Sequence, residues 1–313
     1  MELVFGPVPS RRLGKSLGVN NIPPKICSYS CVYCQIGSTV VKTIKRRKYF
    51  DPNDIYKAVE KRLAEAEEPD YITFVPDGEP TLDINLGREI EALKDFGIKI
   101  AVITNGSLLF MEDVREDLSK ADLVSVKIDA GYEKTWKFVN RPHEELSFER
   151  VIEGIIQFSN EYTGDLITET MLINNVDYSK DLERISEILK TVNPKKAYIS
   201  IPIRPPAEPW VMPAHEEVIN EAYHIFTKSL GEESVELLLG FEGYDFDVSG
   251  DIVKLILSIT SVHPLRKDIL EHMLKEKDAS WSIVEKLISE GKIVEVEYFG
   301  KKFYLRKIPS IKR

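Results

Sequence analysis

The chain's three cysteines all fall within eight residues, Cys27-Ser28-Tyr29-Ser30-Cys31-Val32-Tyr33-Cys34, spaced C-x3-C-x2-C. Thiolates are soft ligands suited to iron–sulfur clusters, and three on one short loop can hold three corners of a cubane. No fourth cysteine exists to hold the last iron, so a cluster bound here keeps one iron open to a small molecule. Other readings fit less well. Three is an odd number and no distant cysteine is available to close a loop by disulfide. A structural zinc site wants four ligands, and the nearest histidine in sequence, His143, would have to be delivered by the fold. Three inert cysteines beside Ser, Tyr and Gln would make an unusual core.

At 313 residues with 43% hydrophobic and 30% charged side chains, the chain suits one large α/β domain with a small satellite. It contains no apolar run of membrane-spanning length. Met1 to Pro7 lack the basic start and long apolar region of a secretory signal. A cytoplasmic, reducing setting is therefore expected, in which thiolates stay available. The net charge of -9 argues against a protein that coats nucleic acid non-specifically. From Gly250 to Arg313, however, 13 Lys and Arg stand against 9 Asp and Glu, leaving 29 against 42 in the remainder. A mildly basic tail on an acidic body keeps local nucleic-acid contact open.

Gly6 to Gly14 reads as irregular from its Pro and Gly content. Ser16 to Ile22 is a strand candidate leading into the cysteine loop. Lys45-Arg46-Arg47-Lys48 reads as a solvated edge, with substrate phosphate contact the less favoured reading. Asp51-Pro52 starts a helix, Asp as cap and Pro in the first turn. Strands then alternate with helices: Tyr71 to Val75, Ile98 to Thr104, Leu123 to Ile128, Leu166 to Ile173 and Ala197 to Ile203 are strands. The intervening helices lie near Leu86 to Gly97, Asp113 to Lys120, Ser147 to Tyr162 and Asp181 to Val192. Six strands in such alternation imply a parallel sheet with right-handed crossovers, too few to close an eight-stranded barrel.

The cysteine spacing, with Tyr33 just before the last cysteine, resembles the radical S-adenosylmethionine superfamily. That resemblance implies a partial (β/α)6 barrel, a 4Fe-4S cluster on Cys27, Cys31 and Cys34, and S-adenosylmethionine chelated by the open iron. Reductive cleavage of that cofactor would give a 5'-deoxyadenosyl radical. An electron donor such as ferredoxin or flavodoxin is implied with it. In parallel β/α folds functional groups gather where strands end, and the unusual loops lie there. Pro76-Asp77-Gly78-Glu79-Pro80-Thr81-Leu82 resembles the superfamily's GEP segment, in which Gly78, Glu79 and Pro80 would grip the methionine amino group; Asp77 stands where Gly is frequent. In Thr104-Asn105-Gly106-Ser107, Asn105 would lie beside the bound nucleoside. Lys127 and Asp129 sit on alternate positions and should share an interior face; they form either an internal ion pair or contacts with the cofactor's ribose and carboxylate. Glu169 puts a further polar group on one face of an apolar strand. Arg204 suits a carboxylate of cofactor or substrate, and Trp210 is either a lid or packing.

The Asp-Gly-Glu-Pro-Thr-Leu, Val-Lys-Ile-Asp-Ala and Asn140-Arg141-Pro142 segments resemble the wybutosine tRNA synthase relatives over roughly Gly6 to Trp210. No cysteines remain for the second cluster those archaeal enzymes carry, and the flavodoxin domain of eukaryotic relatives is lacking. The resemblance thus points to a single-cluster branch whose substrate is unassigned, a tRNA base first and a peptide second. The expected division is a barrel over 1–237, a linker over 238–249 and a tail over 250–313. Within the tail, helices at Ile252 to Ile259, Leu265 to Lys275 and Ser280 to Ser289 precede a hairpin turning at Phe299-Gly300. Three helices and a hairpin read as a winged-helix-like domain; its recognition-helix position, Ser280 to Lys286, is mixed in charge, so protein or peptide contact outranks DNA reading, and RNA contact through the hairpin and Lys312-Arg313 stays open. The rival from another class is a non-catalytic iron–sulfur sensor regulating through that tail, which leaves the GEP loop and the polar strand ends without a role.

Overall fold

The computed structural model describes residues 2–240, 246, 248, 250–262 and 264–306. The strands are β1 (Val4–Ser10), β2 (Gly14–Val19), β3 (Ile26–Cys27), β4 (Val41–Lys42), β5 (Tyr71–Phe74), β6 (Lys99–Thr104), β7 (Leu123–Lys127), β8 (Asp165–Met171), β9 (Lys196–Ser200) and β10 (Val235–Leu238). The helices among them are α1 (Pro52–Leu63), α2 (Leu86–Leu93), α3 (Glu112–Leu118), α4 (Glu133–Val139), α5 (Phe148–Glu161), α6 (Asp181–Val192) and α7 (Glu216–Leu230). The tail comprises α8 (Ile252–Val262), β11 (Leu265–Arg266), α9 (Lys267–Glu276), α10 (Ser282–Ser289), β12 (Ile293–Tyr298) and β13 (Lys301–Arg306).

One open sheet runs β1-β2-β5-β6-β7-β8-β9-β10. Every neighbouring pair is parallel except β1 with β2. This is the partial barrel, its interior strands buried on both faces and accordingly written as apolar runs. Local chemistry sets the helix ends. The Asp51 side chain accepts from the Asn53 amide (2.9 Å) with Pro52 in the first turn of α1, burying Ile55 and Val59. Gly97, at φ +71°, ends the turn after α2 in the left-handed conformation.

Two strands depart from the expected pattern. The Pro-rich opening is not irregular: β1 pairs antiparallel with β2. An edge strand tolerates Pro7 and Pro9 because half its amides need no ladder partner. Beyond β9, the short β10 adds a further parallel strand. Leu238, expected in the linker, pairs with Ser200 as its last residue. Residues 241–245, 247 and 249 of that linker, and the Lys312-Arg313 end, lie outside the described residues. The basic run is also more than a solvated edge: the Arg46 side chain is buried, paired with Asp113 and Asp117 and donating to the carbonyls of Thr81 (2.9 Å) and Asp83 (2.9 Å).

In the tail, β11, β13 and β12 form a three-stranded antiparallel sheet beside three helices. Its core includes Ile256, Leu270, Met273 and Tyr304, and takes in Phe5 and Val8 from β1. The tail is thus packed on the barrel's edge strand. No described helix is long and apolar enough to cross a membrane.

Under the loop after β5 lie buried carboxylates. Glu89 is fully enclosed, with no hydrogen-bond partner on either oxygen among the described residues. Burial, reinforced by the charge of Asp83, pushes its pKa from 4.5 to about 9. Between those values the folded chain keeps a proton that the unfolded chain has released. Stability should therefore fall as pH rises through this window. Glu89→Gln supplies a neutral group of the same shape, so its melting temperature at pH 8 should exceed the wild type's by a few degrees. The advantage should vanish near pH 4, as measured by thermal melts across pH.

Candidate functional site

The cysteine loop leaves β3 at Cys27 and is pinned from two sides. From the β5 side, the Glu79 amide donates to the Ile26 carbonyl (3.1 Å) and the Lys25 amide to the Asp77 carbonyl (2.5 Å). From the segment after α4, the Val32 amide reaches the Val139 carbonyl (2.9 Å), the Ser30 amide the Asn140 carbonyl (3.0 Å) and the His143 amide the Ser28 carbonyl (2.8 Å). Trp136 of α4 donates its indole N–H to the Tyr29 hydroxyl (3.0 Å) and meets that ring edge-on. The Asn-Arg-Pro segment singled out by resemblance is thus the far wall of the cysteine loop.

All three thiols are free and partly covered. Donors converge on two of them: Asn105 Nδ2 (3.5 Å) and the Tyr29 amide (3.4 Å) on Cys27 Sγ, and Asn140 Nδ2 (3.5 Å) on Cys31 Sγ. Such donors surround the sulfurs of iron–sulfur centres and tune them. Burial pushes every thiol up, Cys31 to about 12 with Asp129 adding to it, Cys27 with Glu79 and Cys34 with Asp77. Without a cation these sulfurs stay protonated; bound iron reverses that balance. No group of three His, Cys, Asp or Glu side chains among the described residues converges on a single ion. A cubane does not require it, since each thiolate caps its own iron. The donor set fits a cluster.

A cavity of about 350 Å³ opens beside the loop at the carboxyl ends of the strands, within the range of small-molecule sites. Cys27, Cys31 and Cys34 line it together with Tyr33, Gly78, Glu79, Asn105, Lys127, Glu169 and Arg204. Pro80 and Asp129, also expected to touch the cofactor, are buried and do not line it. Gly78 is where the chain comes closest: a Cβ there would stand 1.9 Å from the Ile26 carbonyl oxygen, so only glycine fits. Glu79 is 1% exposed. Its Oε1 accepts from the Thr81 amide (3.1 Å) and the hydroxyls of Thr81 (2.7 Å) and Thr104 (2.6 Å), and its Oε2 from the Asn105 amide (2.8 Å). Burial still raises its pKa against those bonds. A carboxylate offers about four acceptor sites, two on each oxygen, so what Glu79 has left for a ligand is on Oε2. Asn105 spends its side chain on Ser28 Oγ (2.8 Å) and Cys27, tying β6 to the cysteine loop.

On the opposite wall Lys127 and Asp129 form the internal ion pair that was one of their two readings. Lys127 Nζ lies 3.3 Å from Asp129 Oδ1 and 3.3 Å from Glu169 Oε1, and 5.1 Å from the Tyr33 ring centroid. Asp129 also accepts from Asn140 Nδ2 (2.7 Å), the Met171 amide (2.9 Å) and the Tyr33 hydroxyl. It is a post behind the wall. Glu169 is held by Ser200 Oγ (2.7 Å) and by Arg12. Burial lowers the Lys127 pKa while Asp129 works against it. Arg204 bonds the Gln35 side chain, and Trp210 packs at 5.5 Å against Phe138. Arg12, in the turn between β1 and β2, escaped the sequence reading; its one signal was an Arg-Arg pair in a Pro- and Gly-rich turn.

The family model for the radical SAM superfamily matches residues 21–195, more than half of the chain. The chain belongs to the radical SAM superfamily. A UPF0026 protein of Methanocaldococcus jannaschii is 49% identical over 313 residues, spanning 99% of this chain and 98% of its own. Among solved structures, TYW1 with a lysine-pyruvate adduct bound is similar at a TM-score of 0.53 and 17% identity, covering 69% of this chain and 75% of that one. Streptococcus suis SuiB bound to precursor peptide SuiA is similar at 0.53 and 12% identity, covering 70% and 48%. These likenesses establish the radical SAM partial-barrel fold. With membership come the superfamily's cofactors, a 4Fe-4S cluster and S-adenosylmethionine. The regulatory-sensor alternative finds no support in these matches.

Removing the cation from the wall should be costly, because two buried carboxylates would lose their shared partner. Lys127→Met is expected to lose about 3 kcal/mol in urea unfolding. Adding Glu169→Gln should recover part of that loss, a coupling that a double-mutant cycle measures.

Proposed function

We propose that this radical SAM protein holds its cluster on Cys27, Cys31 and Cys34 and S-adenosylmethionine in the adjoining cavity, and that it modifies a base in RNA. The carrying observation is the cavity that joins the three cysteines to Gly78 and Glu79 and to a wall where Arg12 and Lys127 share Glu169 beside Arg204. When bound, the cluster supplies the electron that breaks a sulfur–carbon bond of S-adenosylmethionine and yields a 5'-deoxyadenosyl radical. The chain's own residues provide the rest. Gly78 lets the backbone approach the methionine end, and Glu79 Oε2 accepts from its ammonium. The cations suit its carboxylate, and Tyr33 flanks the last cysteine. Asn105 aligns the nucleoside side while tying two loops together. Pro80, Asp129 and Glu169 position these groups. The walls keep water from a reactive intermediate. A small redox protein such as ferredoxin or flavodoxin would deliver the electron.

Support for an RNA base comes from the Asp-Gly-Glu-Pro-Thr-Leu and Asn-Arg-Pro segments, which resemble the tRNA-modifying wybutosine synthases. The absence of cysteines beyond Cys34 separates this chain from their two-cluster chemistry. The tail, with three helices and an antiparallel sheet, reads as winged-helix-like and would present the substrate.

Anaerobic reconstitution with reductant and S-adenosylmethionine tests the reading by release of 5'-deoxyadenosine. Release should be abolished in Cys34→Ala and raised by bulk tRNA. Gly78→Ala should keep the cluster's absorbance while weakening S-adenosylmethionine binding at least tenfold, because the turn must move off Ile26. A reducible cluster that gives no product, and whose spectrum ignores S-adenosylmethionine, would sink the enzyme reading.

A further inference from the structure

A second cavity, of about 200 Å³, lies between the exit of β9 and the tail. Ile201, Pro202, Ile203 and Arg204 form one of its walls and also line the cofactor cavity. A group seated in the second cavity would have only this segment between itself and the cofactor. Three cations, Arg204, Arg266 and Lys301, and no carboxylate are among its described lining residues. Two of the cations are oriented by neighbours, Arg266 by Asp268 and Arg204 by Gln35.

The hairpin of β12 and β13 supplies the cavity's other side. Tyr298 pairs with Lys301, leaving Phe299 and Gly300 as a two-residue turn at φ +55° and +68°. That geometry normally takes Asn, Asp or Gly at its first central position, and a bulky side chain there is strained. Phe299 is nonetheless 66% exposed, the most exposed large hydrophobic side chain among the described residues. Neither turn preference nor core burial accounts for a phenylalanine at this point. The Tyr298 hydroxyl donates to the Pro202 carbonyl (3.1 Å), fixing the hairpin against the wall shared with the cofactor cavity.

We propose that Phe299 and this cation-lined cavity bind a nucleotide of a single-stranded RNA segment, the base on the Phe299 ring and the phosphate on the cations. The site asks for a flat apolar body joined to an anion, and every nucleotide carries that pair whatever its sequence. This rests on the RNA reading above and gives it a location: the substrate is gripped by the tail and reaches the cofactor past Ile201–Arg204.

The test measures fluorescence anisotropy of a short labelled single-stranded RNA with the cluster-loaded full chain. Phe299→Asn installs the turn's preferred dipeptide, so its melting temperature should hold or rise while RNA affinity falls about tenfold or more. Phe299→Trp should keep affinity. Lys301→Gln should weaken binding and flatten the log–log salt dependence by about 0.7. RNA affinity unchanged in Phe299→Asn, or tighter binding of a matched DNA strand or an acidic aromatic peptide, overturns the proposal. Release of 5'-deoxyadenosine by the wild type is scored separately, so failure of the enzyme reading and failure of this site are told apart.

Discussion

The arrangement behind the cysteine loop depends on the carboxylate of Asp129. It is buried to 3% exposure, and a charge there is tolerable only with every acceptor used. Its four partners come from four places: Tyr33 of the cysteine loop, Asn140 after α4, the Met171 amide closing β8, and Lys127 at the end of β7. Two of those partners reach further. Asn140 also donates to Cys31 Sγ, and Lys127 also pairs with Glu169, which Arg12 holds. One desolvated anion thereby couples the sulfur positions, two strand ends and the β1–β2 turn. Glu79 does the same work on the other side, joining the Thr81 turn to Thr104 and Asn105 at the end of β6.

These two knots hold the loop that bears the three thiols. A cysteine loop left to itself would collapse its sulfurs inward or oxidise. Here its backbone is committed to partners on both sides, so the sulfurs have little freedom to move. The pKa of each thiol is pushed up by burial, with Glu79 adding to it at Cys27, Asp129 at Cys31 and Asp77 at Cys34. The positive iron of a bound cluster would offset that resistance to ionisation.

Much of this was legible in the sequence because it is local or periodic. The cysteine spacing, the Asp51-Pro52 helix start and the α6 boundaries need no tertiary information, and the polar residues ending apolar strands marked the site's rim. What was missed is tertiary. β1 looked irregular because Pro7 and Pro9 are read as breakers, yet an edge strand with one ladder partner accommodates them. Asp129 was expected to share an interior face with Lys127, in an ion pair or on the cofactor, and it forms the pair. The strand ends at Lys127, however, so strand alternation no longer governs where Asp129 points. Arg12 and Arg46 sat in turn-like or basic stretches whose bland meaning is solvent. Each instead neutralises carboxylates distant in sequence, Glu169 for one and Asp113 and Asp117 for the other. Sequence spacing carries no trace of such pairs.

The tail and the barrel share residues of one edge strand. The tail's core is completed by Phe5 and Val8 of β1, and those same two side chains line the cofactor cavity. A strand that packs outward against one unit and inward upon a ligand site belongs to both. Displacing the tail would expose apolar surface on β1, beside the cavity that Phe5 and Val8 line. The basic, aromatic hairpin is therefore held in register with the cysteines by packing across β1 and by the Tyr298–Pro202 bond. The tail and the cavity beside the cysteines are then geometrically linked through the edge strand, the one element whose sequence looked least like structure.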